Sequence, residues 1–400
     1  MIVPAAIEDA LWAAARRRLP ADVCGGASLT AAVIDRSRRY TSERERLASP
    51  APGRVAADLA ARALFFTIAD VAKPWVALGE LAGGALPAPP GFLSADRLRV
   101  LDVGAGCGAM TLGLCAFLAG RDHRPAVRAV LLDRDGAALD IAADAIASYA
   151  HQAAVDVEVS VREGDVDTVA RVMPRSFDLV LCGSVLNELP PERARALTSA
   201  MLAAVKADGV VLIVEPALRE TSRALHALRD ALVADSVATV LAPCTRRTAP
   251  CPALVDERDW CHDHRPLTLP PRTNQLAQVT GLRDGELKLS YLAITPATGV
   301  AASDAVRVVD DPRGEKGKHT LVACGPAGWT PLRLLRRHRA AGNRGFERAR
   351  RGDLLTIAPW PATPDVTDET RVARAQAAVA SAGRDGNDDD DDPDDDGGAN

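Results

Sequence analysis

The feature that most constrains the fold is a regular alternation, between residues 98 and 214, of short apolar segments with longer stretches rich in alanine and leucine. The longer stretches, such as 109–119 and 136–150, are long enough for helices. Alternation of this kind predicts an α/β fold with a parallel, doubly wound sheet. The apolar segments have the length and β-branched content of buried strands and are 98–103, 127–132, 155–161, 177–182 and 210–214.

Regions of different character flank this core. Residues 7–18 and 55–81 have the apolar spacing of helices, whereas 286–294, 306–309 and 319–323 have the pattern of strands. The sequence therefore divides into four parts: a helical N-terminal region (1–92), an α/β core (93–240), a part with a cysteine-bearing loop, the last core strands and basic β-rich segments (241–358), and a linker with an acidic tail (359–400).

The net charge of -5 is dominated by the acidic tail. Residues 384–400 contain nine Asp and one Arg, so the rest of the chain is net basic. A run of like charges repels itself and buries no apolar surface, so we expect this segment to be disordered. It either keeps the protein soluble or competes for a basic surface.

The sequence was also searched for segments that would direct the protein to a membrane or out of the cell. It has no run of eighteen apolar residues, and residues 1–20 mix two acidic residues with three arginines. Neither a membrane-spanning helix nor a secretory signal peptide is therefore predicted. We expect a cytoplasmic, monomeric protein without membrane contact.

A glycine-rich segment, VLDVGAGCG at 100–108, joins the first predicted strand to a predicted helix. Gly104, Gly106 and Gly108 let the backbone turn sharply and approach a ligand where a side chain would clash. Turns of this kind are typical of nucleotide sites, but several cofactor classes share them. The residues around the loop are needed to choose among these classes.

Polar residues at the ends of the predicted strands favour one cofactor. Asp102 precedes the glycines, and Asp133 ends the second strand. A carboxylate at the latter position can accept hydrogen bonds from both hydroxyls of a ribose. These two positions suit S-adenosylmethionine or NAD. Asp165 and Asn187, after the third and fourth strands, occupy positions that class I methyltransferases use, and a helix or loop cap is the alternative for each of these polar residues. We therefore predict a class I S-adenosylmethionine-dependent methyltransferase fold with a Rossmann-like sheet.

These motifs do not identify a catalytic residue. The sulfonium already activates the methyl group, so the protein needs to align donor and acceptor and to exclude water. The loop after the fourth strand lacks the Asn/Asp-Pro-Pro-aromatic sequence used on exocyclic base amines, and it has no Pro-Cys pair for attack on a pyrimidine. Cys182, inside an apolar strand, is expected to be a core residue.

Three of the eight cysteines, Cys244, Cys251 and Cys261, crowd into one predicted loop. Cytosolic cysteines rarely form disulfides, and thiolates on a flexible backbone can converge on a metal. Cys324 is the best candidate for a fourth ligand, with two histidines, His262 and His264, as alternatives. The wide spacing and the proline after Cys251 favour a [4Fe-4S] cluster, and zinc is the alternative.

A basic segment, 333–351, contains eight Arg and one Glu. Arginine at this density provides phosphate contacts and can stack on bases, which favours RNA as the partner; a solvated helix face is the alternative. The candidate RNA-binding residues are Arg333, Arg336, Arg337, Arg339, Arg344, Arg348, Arg350 and Arg351.

Between residues 40 and 353 the chain resembles a known family, the methyltransferase-like proteins of the small ribosomal subunit, which include mitochondrial ribosome assembly factors and bacterial relatives. The resemblance rests on the glycine loop, on the pattern APC…CP…WCH at 242–262, on Cys324, and on the segments YTSERER (40–46), LAAR (59–62), VLNEL (185–189), VEP (214–216) and KLSYL (288–292).

The resemblance implies a set of ligands. These are rRNA or the small ribosomal subunit as partner, S-adenosylmethionine at Gly104, Gly106, Gly108 and Asp133, and an iron-sulfur cluster at Cys244, Cys251, Cys261 and Cys324. The chain departs from the family between the first two cysteines, where TRRTAP replaces a shorter segment beginning with Pro-His, and at Ala217, which replaces a glycine.

Two functions are compatible with these features. In the first, the protein methylates small-subunit rRNA, and the intact glycine loop with Asp133 favours this interpretation. In the second, it is a non-catalytic assembly factor that binds adenosylmethionine and a cluster, which the missing acceptor-loop signature favours. We expect a methyltransferase-like protein acting on the small ribosomal subunit in translation.

Overall fold

Helices form the N-terminal part of the chain, as predicted. The structure is a computed structural model that describes residues 1–43, 54–171, 174–283, 285–325 and 327–375. The tail at 384–400 and part of the segment 40–46 lie outside these residues. The predicted helix 55–81 is interrupted by a π-helical turn, Arg62–Phe66. The helices of this part are α1 (Ala5–Arg18), α2 (Gly26–Thr41), α3 (Val55–Ala61), α4 (Thr67–Asp70) and α5 (Lys73–Ala82).

A mixed eight-stranded sheet forms the core. Its strands are β1 (Arg97–Val103), β2 (Ala126–Asp133), β3 (Val157–Glu163), β4 (Phe177–Gly183), β5 (Val205–Pro216), β6 (Thr239–Ala242), β7 (Asp263–Pro266) and β8 (Glu286–Thr295). The order is β3-β2-β1-β4-β5-β8-β6, with β7 beside β8. The five strands predicted between residues 98 and 214 are parallel, as predicted, and β8, predicted as a strand at 286–294, joins the same sheet antiparallel to its neighbours.

Helices cover both faces of this sheet. One face packs against the N-terminal helices together with two core helices, α6 (Ala109–Ala119) and α7 (Gly136–Gln152). The other face packs against α8 (Pro191–Ala204) and α9 (Arg219–Ala234). A further helix, α10 (Pro271–Thr280), lies near α1 and α2. No helix formed by the described residues is both long and apolar enough to cross a bilayer.

The predicted β-rich C-terminal part is a second sheet, of seven strands, with its own apolar core. It extends past the predicted boundary at 358, because residues expected in the linker form its last two strands. Its elements are β9 (Val306–Val308), β10 (Arg313–Glu315), β11 (Lys318–Gly325), β12 (Gly328–Leu335), α11 (Arg344–Glu347), β13 (Leu354–Ala358), β14 (Asp365–Val366) and β15 (Arg371–Arg374).

A buried polar network joins the three parts. Arg307 on β9 donates to both carboxylate oxygens of Glu80 on α5 at 2.9 and 2.8 Å, and the Tyr291 hydroxyl on β8 donates to the same carboxylate at 2.7 Å. All three residues are buried. Burying a charged side chain costs free energy unless an opposite charge and hydrogen-bond partners are buried with it. This network therefore fixes how the three parts pack.

We expect Glu80→Leu to lower the free energy of unfolding by about 3–5 kcal/mol, because the buried Arg307 guanidinium loses the carboxylate to which it donates twice and keeps Asp263, at 3.5 Å, as its anionic partner. Urea unfolding monitored by circular dichroism would measure the change. As a control, Glu220→Leu on the exposed side of α9 should change stability by no more than about 0.5 kcal/mol. Equal effects of the two substitutions would contradict a special role for Glu80.

Candidate functional site

The strand order reverses between β1 and β4, and ligands of α/β sheets bind beyond the carboxyl ends of the strands at such a point. The glycine loop lies there. Gly104, Gly106 and Gly108 have φ values of 67°, 50° and 88°, a region that glycine adopts at no steric cost. A Cβ at Gly104 would lie 2.3 Å from Cγ2 of Val185 in the loop after β4. The positive φ values favour glycine at all three positions, and the close approach of Val185 leaves no room for a side chain at Gly104.

Asp133 lies at the end of β2 and fixes the glycine loop. Its Oδ2 accepts a hydrogen bond from the Gly106 N–H at 2.8 Å, and its Oδ1 accepts one from the Asp135 N–H at 2.9 Å. A carboxylate has about four acceptor positions, so each oxygen can still accept a hydrogen bond. The contact with a ribose stays a prediction.

Asp102 is fully buried beneath the loop. Its Oδ2 accepts hydrogen bonds from the Thr111 hydroxyl at 2.6 Å and the Thr111 N–H at 3.2 Å. Burial raises its pKa to about 7, against the lowering effect of these hydrogen bonds. The structure therefore shows Asp102 anchoring α6 beneath the cleft, and its contact with a cofactor stays a prediction.

The two remaining predicted cofactor residues lie on neighbouring loops. Asp165 is exposed and accepts hydrogen bonds from the Asp167 N–H at 3.0 Å and from Arg193 at 3.3 Å. The backbone N–H of Asn187 donates to Oε2 of Glu215 at 3.2 Å. Neither arrangement tests the predicted roles of Asp165 and Asn187 toward a cofactor.

Glu215, at the end of β5, is the site residue that motif analysis missed. Its buried carboxylate accepts hydrogen bonds from three consecutive N–H groups, those of Val185, Leu186 and Asn187, at 3.2, 2.9 and 3.2 Å. Burial raises the pKa of Glu215 to about 7, and these bonds and Lys73 act in the opposite direction. An acidic residue ending an otherwise apolar strand was the available signal. Glu215 holds the loop after β4 in place against the glycine loop.

The same loop begins with backbone strain. Ser184 has a φ of 58°, in the left-handed region that side chains rarely adopt. Its N–H donates to the Val214 carbonyl at 2.7 Å, which helps to hold it there. Strained residues of this kind cluster at ligand sites, where the surrounding structure supports them.

The N-terminal helices bring charged residues to the cleft. Arg62 donates to Asp135 Oδ2 at 2.6 Å. The Arg36 guanidinium lies 4.5 Å from the centre of the Tyr40 ring. Burial raises the pKa of Glu188, whereas nearby arginines, Arg36 first among them, lower it. The cleft is thus formed by the core sheet together with the helical region.

The four cysteines predicted as ligands line one cavity, which the structure places between the two sheets. Cys244, Cys251 and Cys261 belong to the segment between β6 and β7, and Cys324 lies on β11. The alternatives are not in its lining, since His262 stacks on Trp260 at 4.0 Å and His264 pairs with Glu286 at 2.7 Å.

Two arginines of α9, half-buried Arg223 and buried Arg229, hold the cysteine loop. Arg223 donates to the carbonyls of residues 253, 256 and 259 at 2.6–2.8 Å. Arg229 donates to the Ala249 carbonyl at 2.6 Å and to Asp230, which in turn accepts the Cys251 N–H at 2.9 Å. The loop has little regular structure of its own, so these hydrogen bonds determine its path.

The cavity has the electrostatics of buried neutral thiols. Burial raises the pKa of all four cysteines, and for Cys251 and Cys324 to about 12 and about 11. Within the described residues, no group of three or more His, Cys, Asp or Glu side chains is arranged to hold a metal ion. The predicted four-cysteine metal site is therefore not supported as a formed site, although its four members share one cavity.

The basic segment 333–351 leaves β12 and continues through short helical turns and α11, so it is not a single solvated helix face. Arg333 pairs with Asp365, Arg339 with Glu347 at 2.7 Å, and Arg351 with Asp311 at 3.2 Å. Within the described part of the chain, no ion pair involves the side chains of Arg336, Arg337, Arg344, Arg348 and Arg350.

The fold and the glycine loop define the class of protein, a Rossmann-like α/β protein with a glycine-rich loop at the switch point of its sheet. The chain belongs to the family described as mitochondrial small ribosomal subunit Rsm22, whose sequence model matches residues 65–355. This confirms the family resemblance seen in the sequence. No curated protein matches the chain.

Solved structures similar to the chain include two methyltransferases. One, from Archaeoglobus fulgidus, is described as SAM dependent and matches with 20% identity and a TM-score of 0.24, over 31% of this chain and 47% of its own. The other is magnesium protoporphyrin IX methyltransferase from Synechocystis PCC 6803 with bound SAM, with 15% identity and a TM-score of 0.32, over 68% of this chain and 99% of its own. The chain spans about half of the Archaeoglobus protein.

The raised pKa of Glu215 gives a pH dependence with a definite sign. A carboxyl whose folded pKa of about 7 exceeds its ordinary 4.5 stabilises the fold below pH 4.5, and this contribution is lost as the pH rises through 7. We expect the stability of Glu215→Gln, measured by urea unfolding, to fall less between pH 4.5 and 7 than that of the wild type. A steeper fall in the variant would contradict the raised pKa.

Proposed function

We propose that this protein binds S-adenosylmethionine in the cleft between the glycine loop and the loop after β4. The observation that carries the proposal is the position of the glycine loop at the switch point, with Asp133 at the end of the adjacent strand accepting the Gly106 N–H. This arrangement leaves acceptor positions on Asp133 for the hydroxyls of a ribose. Membership of the family adds support.

The residues of the cleft would act by positioning. Asp133 would orient the ribose, and Glu215 would hold the loop after β4 so that donor and acceptor meet in line. When bound, the donor supplies an activated methyl group, whose transfer to a nucleophile leaves its bonding electron pair on sulfur. The neighbouring N-terminal helices would limit access of water.

We propose the small ribosomal subunit, through its rRNA, as the partner. The description of the family names that subunit, and the arginines of segment 333–351 provide the cationic surface that phosphates require. The sequence motifs identify no catalytic base, so the second candidate is a non-catalytic assembly factor. The absence of an acceptor-loop signature favours this second candidate.

We also propose that the four-cysteine cavity holds a [4Fe-4S] cluster, with zinc as the alternative. The support for this proposal is the shared cavity, because Cys244, Cys251, Cys261 and Cys324 line it together with two buried guanidiniums, Arg229 and Arg307, that can offset the charge of thiolates. A metal there would link the loop of the core sheet to β11 of the second sheet. Binding would require the four thiols, whose pKa values are raised, to release protons.

Methyl transfer is the test of the enzyme. Protein purified without oxygen should transfer labelled methyl from S-adenosylmethionine to rRNA of immature small subunits, and Asp133→Ala should reduce the transfer at least about 10-fold by loss of charge-assisted hydrogen bonds. Arg195→Met, an exposed arginine that pairs with Asp235 on the far helices, is the control. Donor binding and subunit binding without label would favour the assembly factor; no donor binding would refute the donor site.

Metal content is the test of the cysteine cavity. The wild type, purified without oxygen, should contain iron or zinc in proportion to protein, and Cys261→Ser should lose most of it because a thiolate ligand is removed. Cys115→Ser, at a buried position within α6, is the matched control and should retain the metal. Absence of both metals from the wild type would refute the proposal.

A further inference from the structure

We infer that Arg62 recognises the carboxylate at the amino-acid end of the donor, so that the site selects a nucleoside whose tail carries a carboxylate. The inference rests on the proposed donor site and adds a residue from the helical region to it. In the sequence, Arg62 belongs to the LAAR segment that resembles the family, and in the structure it donates to Asp135. Its position relative to the glycine loop gives it a specific role.

The structure places a guanidinium beside the glycine loop. A Cβ built at Gly106 would lie 3.6 Å from a terminal nitrogen of Arg62, an ordinary van der Waals distance. With the ribose on Asp133, the rest of the donor extends across the glycine loop toward the end of β4. Gly106 lies on this path, and Arg62 is the guanidinium that approaches it.

The side chain is held ready for this role. Its other terminal nitrogen donates to Asp135 at 2.6 Å, and that carboxylate also accepts the Ala138 N–H at 3.1 Å, at the start of α7. The Arg62 side chain is about one-fifth exposed, so it is desolvated but still accessible. A guanidinium fixed at one end can present its remaining N–H groups in the planar arrangement that suits a carboxylate.

The local backbone supports the assignment. Arg62 begins the π-helical turn that interrupts the helix predicted over 55–81. Turns of this type are rare and occur frequently at functional sites, because they redirect side chains out of the regular helical register. Charges of both signs surround it: Arg36, Arg62 and Arg134 all lie near Glu188, and Asp135 pairs with Arg62.

The experiment compares two ligands that differ at this end. S-Adenosylhomocysteine carries the amino-acid tail, whereas 5′-methylthioadenosine shares the adenosine and the sulfur but lacks it. Calorimetric titration should show that Arg62→Met weakens S-adenosylhomocysteine binding about 10- to 100-fold, as expected for a lost charged hydrogen-bond pair, and changes methylthioadenosine binding less than about twofold. Arg62→Lys keeps the charge but not the planar arrangement of donors. Its affinity for S-adenosylhomocysteine should therefore lie between that of the wild type and that of Arg62→Met.

The outcomes separate this inference from the proposed function. If the wild type binds neither nucleoside, the donor site itself is refuted and Arg62 with it. If the wild type binds both nucleosides, two results for Arg62→Met would overturn the inference alone. An equal loss of affinity for the two ligands would show that Arg62 only supports the loop. An unchanged affinity for S-adenosylhomocysteine would show that Arg62 does not contact the tail. Arg195→Met should bind both ligands as the wild type does.

Discussion

The structure depends on the contact between Glu80 and Arg307, because it is the point at which the helical region, the core sheet and the second sheet meet. Arg307 also donates to the carbonyl of Pro243, the residue before Cys244, and to the carbonyl of Gly352, the residue after the basic segment. One buried guanidinium thereby orients the segments on both sides of it. Few other arrangements satisfy its five donors, so the relative placement of the three parts is well determined.

The cleft follows the same principle on a smaller scale. Its walls are loops, but each loop is tied by a carboxylate that accepts backbone N–H groups: Asp133 for the glycine loop and Glu215 for the loop after β4. Backbone hydrogen bonds of this kind fix loop geometry without adding side-chain bulk to the cleft. A ligand binding there would meet a surface that is already ordered, which lowers the entropic cost of binding.

Much of this fold could be predicted from the sequence, because hydrophobic periodicity and the glycines and prolines of turns are local signals. The five parallel strands, the glycine loop and helices α6 and α7 follow from residue spacing alone. The reversed direction of β8 could not, since an antiparallel strand buried on both faces has the same apolar pattern as a parallel one. Arg62 and Glu215 were missed because their partners, Asp135 and residues 185–187, are distant in sequence. The four cysteines of the predicted metal site line one cavity, but their side chains are not arranged as a metal site.

The position of β8 has a consequence for synthesis of the chain. This strand separates β5 from β6, and in the described sheet β6 pairs with β8 alone. A nascent chain that ends before residue 286 therefore has an open edge on β5 and a β6 strand without its ladder, while the cysteine loop has already been made. Exposed strand edges are prone to wrong pairing. The core of this protein is completed only when a segment encoded after the cysteine loop has emerged and inserted.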